Sequence, residues 1–437
     1  MRFSNLNEWL QWQESLHSSE IDLGLARVSA VAANMRLIAS QPSSALQFAE
    51  NQPTVITVAG TNGKGSCIAT LEYLLLALGF CVGAYSSPHF LHYNERIRVN
   101  GQPAPDVDIC QAFDNIDRAR GDTSLSYFEF GTLAGLEIFR QQQLDYVLLE
   151  VGLGGRLDAV NIVDADLAII TAIALDHEDW LGSDIEQIGR EKAGIARKNQ
   201  KLICADRKVP QSVLDISSKL NCKLYRAGLD FYSQESALDW SLISNASSNV
   251  SSHNDQNLPL PSLPLPSVAA AIMALRALEL PLDTKLLQTS LPHIHLSGRY
   301  QQIDFRGRQL ILDVAHNPAA AYFLAQRLQQ SSALHNFTGA SYALIAMMAD
   351  KDIPQVLAPL HSQVQHWIAA GLDSNPRAAT AEFMALQLQA MGANVQQQTT
   401  VLTGFEYFLK HSDVGDRLLV LGSFFTVAAI LQRLEDV

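Results

Sequence analysis

Short apolar, β-branched runs alternate with stretches of helical periodicity along most of the chain. The first clear run is Thr54 to Ala59, and the apolar pattern after it predicts a helix over 65–79, with Gly79 as its stop. Further runs predict strands over 81–85, 145–151, 167–174 and 201–205. Tyr146–Val151 and Leu167–Ile173 are apolar at almost every position, as in parallel strands covered on both faces. From about Ser233 to Ser267 the pattern changes: Ser, Asn, Gln and Pro dominate, ending in a Leu-Pro alternation from Leu258 to Pro266. That tract reads as strand and loop decoration. A helix is predicted over Val268–Leu280, and His293–Gly298 reads as a linker. From Gln309 a second alternation predicts strands 309–314, 341–347, 364–369 and 417–421 with helices 318–330, 353–361, 378–391 and 425–435. The whole predicts an α/β protein of two domains. Residues 1–292 would form a parallel sheet with helices on both faces, 293–298 a linker, and 299–437 a smaller α/β domain of the doubly wound kind.

Composition narrows the setting. A chain of 437 residues with 48% hydrophobic and 17% charged positions is globular and too long for one ordinary core. Its N-terminus lacks signal-peptide character, and its apolar runs fall short of the roughly 20 residues that span a bilayer. Five scattered cysteines without a CxxC pair read as reduced thiols, which points to the cytoplasm. The sequons at Asn245 and Asn249 then carry no weight. A net charge of −13 argues against a nucleic-acid partner but leaves small anionic substrates open. Nothing reads as a coiled coil or a long exposed apolar stripe, so a monomer is expected.

Candidate chemistry gathers at strand ends. Gly60-Thr61-Asn62-Gly63-Lys64-Gly65-Ser66 follows a predicted strand and opens a predicted helix, the context in which backbone amides cradle phosphate. Lys64 would reach the phosphates and Ser66 would stand near Mg²⁺. The common pattern has four residues between its glycines and a hydroxyl directly after the lysine; here the glycines are closer and Gly65 intervenes. The next strand ends in Ser86-Ser87-Pro88-His89, the third in Glu150 before a glycine-rich turn to Asp158, the fourth in Asp176-His177. Taken singly, each has a plain structural role: Glu150 a cap or a partner of Arg156, His177 a hydrogen-bonded histidine, Ser87 a turn former, Lys192 a solvated lysine. Successive strand ends bearing oxygen donors beside a phosphate cradle favour Mg²⁺ chemistry over that set of coincidences. In the second half, Asp313, His316 and Asn317 sit at a strand end with Arg299 upstream, and could close over a nucleotide. Asp313 or Asn317 as caps, and Asp350-Lys351-Asp352 as a solvated turn, are the plain alternatives.

The collinear segments Ile21–Val28, Val58–Gly65, Tyr85–His89, Tyr127–Glu129, Glu150–Asp158, Leu175–His177, Gly189–Gly194, Ser297–Arg299, Asp313–Pro318 and Leu421–Phe424 together resemble the bifunctional dihydrofolate synthase/folylpolyglutamate synthases, within the Mur-type ligases. The resemblance implies a phosphate-loop, ATPase-like sheet for 1–292, a Rossmann-like domain for 299–437, and ATP as co-substrate, held by Gly60, Thr61, Asn62, Gly63, Lys64, Gly65 and Ser66 with Ser267, Arg299 and Asp313. It implies two Mg²⁺ ions on Ser66, Ser87, Glu150, His177 and Lys192, the last as a carbamate, and a K⁺ ion. It implies Lys64, Lys192 and His316 as catalytic groups. Pterin and folate would lie near Asp22, Leu23, Gly24, Leu25, Ser126, Tyr127, Phe128, Glu129, Leu157, Asp158 and Ala159; the Asp22 loop suggests the bifunctional branch. Two positions depart from the family: Ser267 stands where Asn is common near the adenine, and Phe425 where a histidine is usual.

The implied reaction phosphorylates a carboxylate with ATP and lets the amine of L-glutamate displace phosphate, on dihydropteroate or on the γ-carboxylate of reduced folates. The rivals are a monofunctional folylpolyglutamate synthase, a Mur-type ligase of peptidoglycan precursors, and a nucleotide-hydrolysing switch that ligates nothing. About 50 residues precede the glycine loop, too few for the separate N-terminal domain such a Mur-type ligase usually carries.

Overall fold

The computed structural model describes residues 1–17, 22–38, 52–236, 238–245, 252–334, 336–372 and 375–436. Part of the Asp22 motif (Ile21), and the tract that carries the Asn249 sequon, lie outside them. The chain divides into two compact units, Met1–Glu235 with Asp239–Ile294, and His295–Val437 with Ser236–Leu238.

In the first unit, eight strands among the described residues form one sheet: β1 Thr54–Ala59, β2 Val82–Tyr85, β3 Ile97–Val99, β4 Gln102–Pro103, β5 Tyr146–Glu150, β6 Leu167–Ile170, β7 Lys201–Cys204 and β8 Lys223–Arg226, in the order β4-β3-β2-β5-β1-β6-β7-β8. From β2 to β8 the neighbours run parallel, while β2–β3 and β3–β4 are antiparallel. The apolar strands noted above are central and buried on both sides, as a parallel sheet requires. Strand β1 lies between β5 and β6, pairing Val58 with Glu150 and Ala59 with Ile170. The carboxyl ends of all three therefore deliver their loops to one edge.

Two helices begin near that edge. Lys64–Ala77 follows the glycine loop, and Leu265–Ala277 packs along it. The second starts three residues before the expected Val268, because Pro266 falls in its first turn, where a missing N–H costs nothing. Every residue from Ser267 to Ala277 is buried, so small alanines replace an amphipathic stripe. The Ser- and Pro-rich tract forms an antiparallel sheet of β9 Phe231–Glu235, β10 Asp239–Ser244 and β11 His253–Pro259, in the order β11-β10-β9. The buried Arg276–Asp255 ion pair ties it to Leu265–Ala277. At the N-terminus, helix Leu6–Leu16 is capped by Asn5 and docks through fully buried Trp9 against Phe113, with Phe3 and Trp12 packed beside the Trp9 ring. Each such side chain contributes roughly 1.5–3 kcal/mol.

In the second unit β12 Gln301–Phe305 and β13 Arg308–Leu312 form a hairpin, and β14 Ser341–Ile345, β15 His366–Ala370, β16 Val395–Gln398 and β17 Arg417–Leu421 complete a sheet ordered β12-β13-β17-β14-β15-β16. Only β12 runs antiparallel. Arg306 and Gly307, at φ 55° and 73°, make the two-residue turn whose twist suits a hairpin. Ile311, Ala343, Ile345, Trp367 and Leu419 form the core beneath the flanking helices.

Several expected bounds shift. The strand foreseen over 167–174 ends at Ile170, since Thr171–Ala174 leave the ladder to brace the glycine loop. The helix foreseen over 353–361 is Ile353–Leu357, followed by a separate 3₁₀ turn at His361–Gln363. Helix Ala381–Ala390 starts later than the expected 378, at its Thr380 cap. Helices Asp106–Arg120 and Tyr127–Arg140, and the edge strands β3, β4, β8, β12 and β16, were not marked by the apolar pattern.

Candidate active site

The glycine loop is fixed from beneath and left open at the helix start. Gly63 (φ 86°) precedes Lys64–Ala77 without a side-chain cap, so its first amides have no intrahelical acceptor. Thr61 makes three bonds to the β6 exit: its amide donates to Ala172 O at 2.6 Å, and its hydroxyl accepts from Ala174 N and donates to Ala174 O, each at 3.1 Å. Thr171 Oγ1 donates to Asn62 O at 2.7 Å. Glycine is required here: a Cβ on Gly60 would fall 1.9 Å from Thr171 Oγ1, and one on Gly63 2.2 Å from Ser267 Oγ. Lys64 Nζ folds back 3.0 Å from Gly60 O. Ser66 Oγ is buried with no hydrogen-bond partner among the described residues. An uncapped helix start, a lysine and an orphaned hydroxyl fit an anion and its counter-cation.

Beside this loop, buried Glu150 ends β5 and accepts from Ser87 N at 3.3 Å. Its charge also reaches Cys67, whose thiol is pushed up mainly by burial. The turn after Glu150 runs against helix Ile185–Ala193: Arg156 N donates to Glu191 O at 2.8 Å, and its guanidinium pairs with the Glu191 carboxylate at 2.8 Å. Arg156 is therefore the partner of Glu191, not Glu150. Asp158 is buried and accepts from Leu153 N at 2.8 Å and Val160 N at 3.1 Å. Burial pushes its carboxyl up to about 6, against those donors and the Lys64 charge. Lys192 is 2% exposed rather than solvated. Burial pulls its ammonium down to about 7, Lys64 adds to the pull, and Asp176 and Asp158 oppose it. A buried amine whose ammonium form is disfavoured by burial is more reactive toward electrophiles such as CO₂ than a solvated lysine. His177, at φ 52°, is exposed.

The other candidates in this unit lie around helix Tyr127–Arg140. Ser126 and Glu129 form its capping box, with Ser126 N donating to Glu129 Oε2 at 2.7 Å. Arg27 links Glu129 to Asp22, donating to Asp22 Oδ2 at 2.6 Å and to Glu129 Oε1 at 3.2 Å. Phe128 packs so close to Gly152 that a Cβ there would meet its ring at 2.7 Å. The Ser126–Glu129 and Gly152–Asp158 segments are thus brought together, with Leu157 partly exposed and Ala159 buried.

In the second unit Asp313 receives Tyr300 N at 2.8 Å and Ala315 N at 2.9 Å. Burial pushes its carboxyl up, and the Arg299 guanidinium opposes that shift. Arg299 also lies 5.1 Å from the centre of the Phe424 ring. His316 Nδ1 is 3.3 Å from Val314 O. Asn317 and Asp352 are caps, accepting from Ala320 N and Gln355 N, and Asp350 pairs with Arg377 and Lys351.

The Mur ligase glutamate ligase domain family matches residues 298–424. A dihydrofolate synthase/folylpolyglutamate synthase of Escherichia coli is 44% identical over 432 residues, 99% of this chain and 96% of the relative. The chain belongs to the dihydrofolate synthase/folylpolyglutamate synthase family. Among solved structures of this family, E. coli FolC in complex with DHPP and ADP has a TM-score of 0.88 at 43% identity, covering 99% of this chain and 98% of that one. The Yersinia pestis bifunctional enzyme with AMPPNP and Mn ion has a TM-score of 0.87 at 42% identity, with the same coverage.

Against that family background, the structure gathers Lys64, Ser66, Ser87, Glu150, Asp158 and Lys192 along one sheet edge. Ser267 stands beneath Gly63, where its small side chain allows the close approach. Thr171, His17 and Arg27 were not singled out by sequence; Arg27 was visible only as one residue of a matching segment. Among the described residues, no three His, Cys, Asp or Glu side chains gather as a metal cage. Any divalent ion here would draw on hydroxyls, one carboxylate and water, as Mg²⁺ commonly does. No described helix is long and apolar enough to cross a membrane, and all five cysteines are unpaired.

Proposed function

We propose that the protein uses ATP to join L-glutamate to dihydropteroate, giving dihydrofolate, and to the γ-carboxylate of reduced folates, giving folylpolyglutamates. The observation that carries this reading is the edge where the open helix start at Gly63–Ser66 meets buried Glu150, Asp158 and Lys192. The substrate carboxylate attacks the γ-phosphorus of ATP, ADP leaves, and an acyl phosphate forms. The amine of glutamate then attacks the acyl carbon; phosphate leaves with its oxygen, a proton is lost, and the amide remains. Lys64 exchanges its contacts with Gly60 and Thr61 carbonyls for phosphate oxygens, and the amides of Gly63 to Ser66 take up charge on the transferring group. Asp22–Leu25, Ser126–Glu129 and Leu157–Ala159 hold the pterin.

Ser66, Ser87, Glu150 and His177 would hold Mg²⁺, and Lys192 as its carbamate would hold a second ion, with K⁺ as a further cation; bound there, they would neutralise charge at the phosphates. The orphaned Ser66 hydroxyl and buried Glu150 fit such an ion; exposed His177 fits it less closely. In the second unit, Arg299 and Asp313 bind nucleotide or the incoming glutamate, and His316 orients the amine or takes its proton. The protein works as a cytoplasmic monomer.

Phosphate release with and without dihydropteroate and glutamate tests the reading. It should need both substrates and yield dihydrofolate in equal amount. Release that ignores both would favour a nucleotide-hydrolysing switch, and ligation only to reduced folates the monofunctional branch.

A further inference from the structure

Asp22, Leu23 and Gly24 have no regular structure, and a side chain on Gly24 would meet no atom within 4 Å. Leu25 packs against the core, but Gly24 has open space beside it, and charged hydrogen bonds tie down the Asp22 end of the loop. Arg27 donates from Nη1 to Asp22 Oδ2 at 2.6 Å and from Nη2 to Asp22 O at 3.2 Å. The same Nη2 lies 3.2 and 3.3 Å from the two Glu129 oxygens. His17 adds a second tie, with Nε2 3.0 Å from Asp22 Oδ2 and Nδ1 2.7 Å from Ser124 Oγ. Glu129 is itself immobile, buried within the capping box of helix Tyr127–Arg140. One planar guanidinium thus joins the Asp22 end of the loop to an anchored helix start.

Two polar atoms of this cluster have no hydrogen-bond partner among the described residues. Asp22 Oδ2 is shared by two donors, while Oδ1 makes no hydrogen bond among the described residues. Arg27 Nε is buried without an acceptor among them. The cluster therefore offers one free acceptor and one free donor.

We propose that Arg27 is a positioning residue for the pterin end of the substrate. It holds Asp22–Leu25 against Ser126–Glu129, and turns Asp22 Oδ1 toward the N–H donors of the heterocycle. This rests on the functional reading above, which assigns the loop to the pterin. Lysine keeps the charge but cannot present a planar fork to two carboxylates and a carbonyl at once. Arg27→Lys is therefore the informative change, and Arg27→Ala, which leaves buried Glu129 unpaired, is not.

The test is equilibrium binding of dihydropteroate, followed by pterin fluorescence without ATP or glutamate, to wild type, Arg27→Lys, Asp22→Asn and the double variant. Arg27→Lys should weaken dihydropteroate binding about tenfold. It should raise the dihydropteroate KM in step, and leave the ATP KM, kcat and the ligand-free melting temperature near wild-type values. The double variant should bind no worse than the weaker single variant, because both changes break one linkage. Wild-type binding with an unaltered Arg27→Lys variant, or losses that multiply in the double variant, would overturn the proposal alone. A wild-type protein that does not bind dihydropteroate would overturn the functional reading and the proposal with it.

Discussion

Gly63 and Ser267 approach so closely that a Cβ on Gly63 would stand 2.2 Å from the Ser267 hydroxyl oxygen. The glycine also holds φ 86°, a conformation that costs other residues about 1 kcal/mol or more. Two penalties therefore fall on Gly63→Ala, one steric and one conformational. We expect it to lower the melting temperature and remove the stabilisation that ATP confers on wild type. Adding Ser267→Ala should relieve the steric part and leave the conformational part. Thermal melts with and without ATP separate the two, and equal melts for the single and double variants would show that Ser267 does not press on the loop.

Lys192 and Asp158 titrate in opposite senses. The Lys192 ammonium falls from 10.5 to about 7 in the fold, so the unfolded chain binds more protons across that window. Its contribution to stability is present above about 10.5 and is lost as pH falls through about 7. The Asp158 carboxyl rises from 3.8 to about 6, so its contribution is present below about 3.8 and is lost as pH climbs through about 6. Urea unfolding of CO₂-free protein should become more favourable to the fold between pH 7 and 10, with a shallower rise in Lys192→Met. In activity assays, Lys192→Ala should be nearly inactive and partly restored by a short carboxylate. Full ligase activity in that variant would show that no carbamate is needed there.

Much of the first sheet was legible because its central strands are buried on both faces, which writes an unbroken apolar run into β1, β5 and β6. Their carboxyl ends could then be read in order, and Gly60 and Glu150 followed; Lys192 lies on helix Ile185–Ala193 and was reached only through the family resemblance. The edge strands were not legible: β4 is two exposed residues, and β8 is only half buried. The cap at Thr380 and the early start at Leu265 depend on single side chains that periodicity does not weigh. Arg27 and His17 were silent for another reason. Their role lies in bonds to Glu129 and Ser124, more than 100 positions along the chain, and only folding brings those partners together.

Glu150 and His177 differ in environment, and their variants should differ accordingly. Glu150 is buried and fixed by the Ser87 amide, whereas His177 is exposed. Glu150→Gln keeps an acceptor for Ser87 N but removes the charge that would hold a cation. Its activity should fall about 100-fold and recover little with added Mg²⁺, while His177→Ala should lose about tenfold and recover as Mg²⁺ is raised. Mg²⁺ titrations of the ATP-dependent rate decide this, and an unchanged Mg²⁺ requirement in Glu150→Gln would remove it from the ligand set.

Ser66 offers the sharpest separation of structure from function. Its buried hydroxyl has no hydrogen-bond partner among the described residues, and an unsatisfied buried hydroxyl costs stability. A serine kept for the fold would be expected to bond something; one kept for a cation need not until the cation arrives. Removing it as Ser66→Ala leaves no partner stranded, so the ligand-free protein should be as stable as wild type, or up to about 1 kcal/mol more stable. Its helix position also favours alanine slightly. The same change should raise the Mg²⁺ concentration needed for half-maximal activity roughly tenfold or more, as the loss of one oxygen ligand would. Chemical denaturation and the Mg²⁺ dependence of turnover, measured on one preparation, give both numbers. A destabilised variant with an unchanged Mg²⁺ requirement would make Ser66 a packing residue.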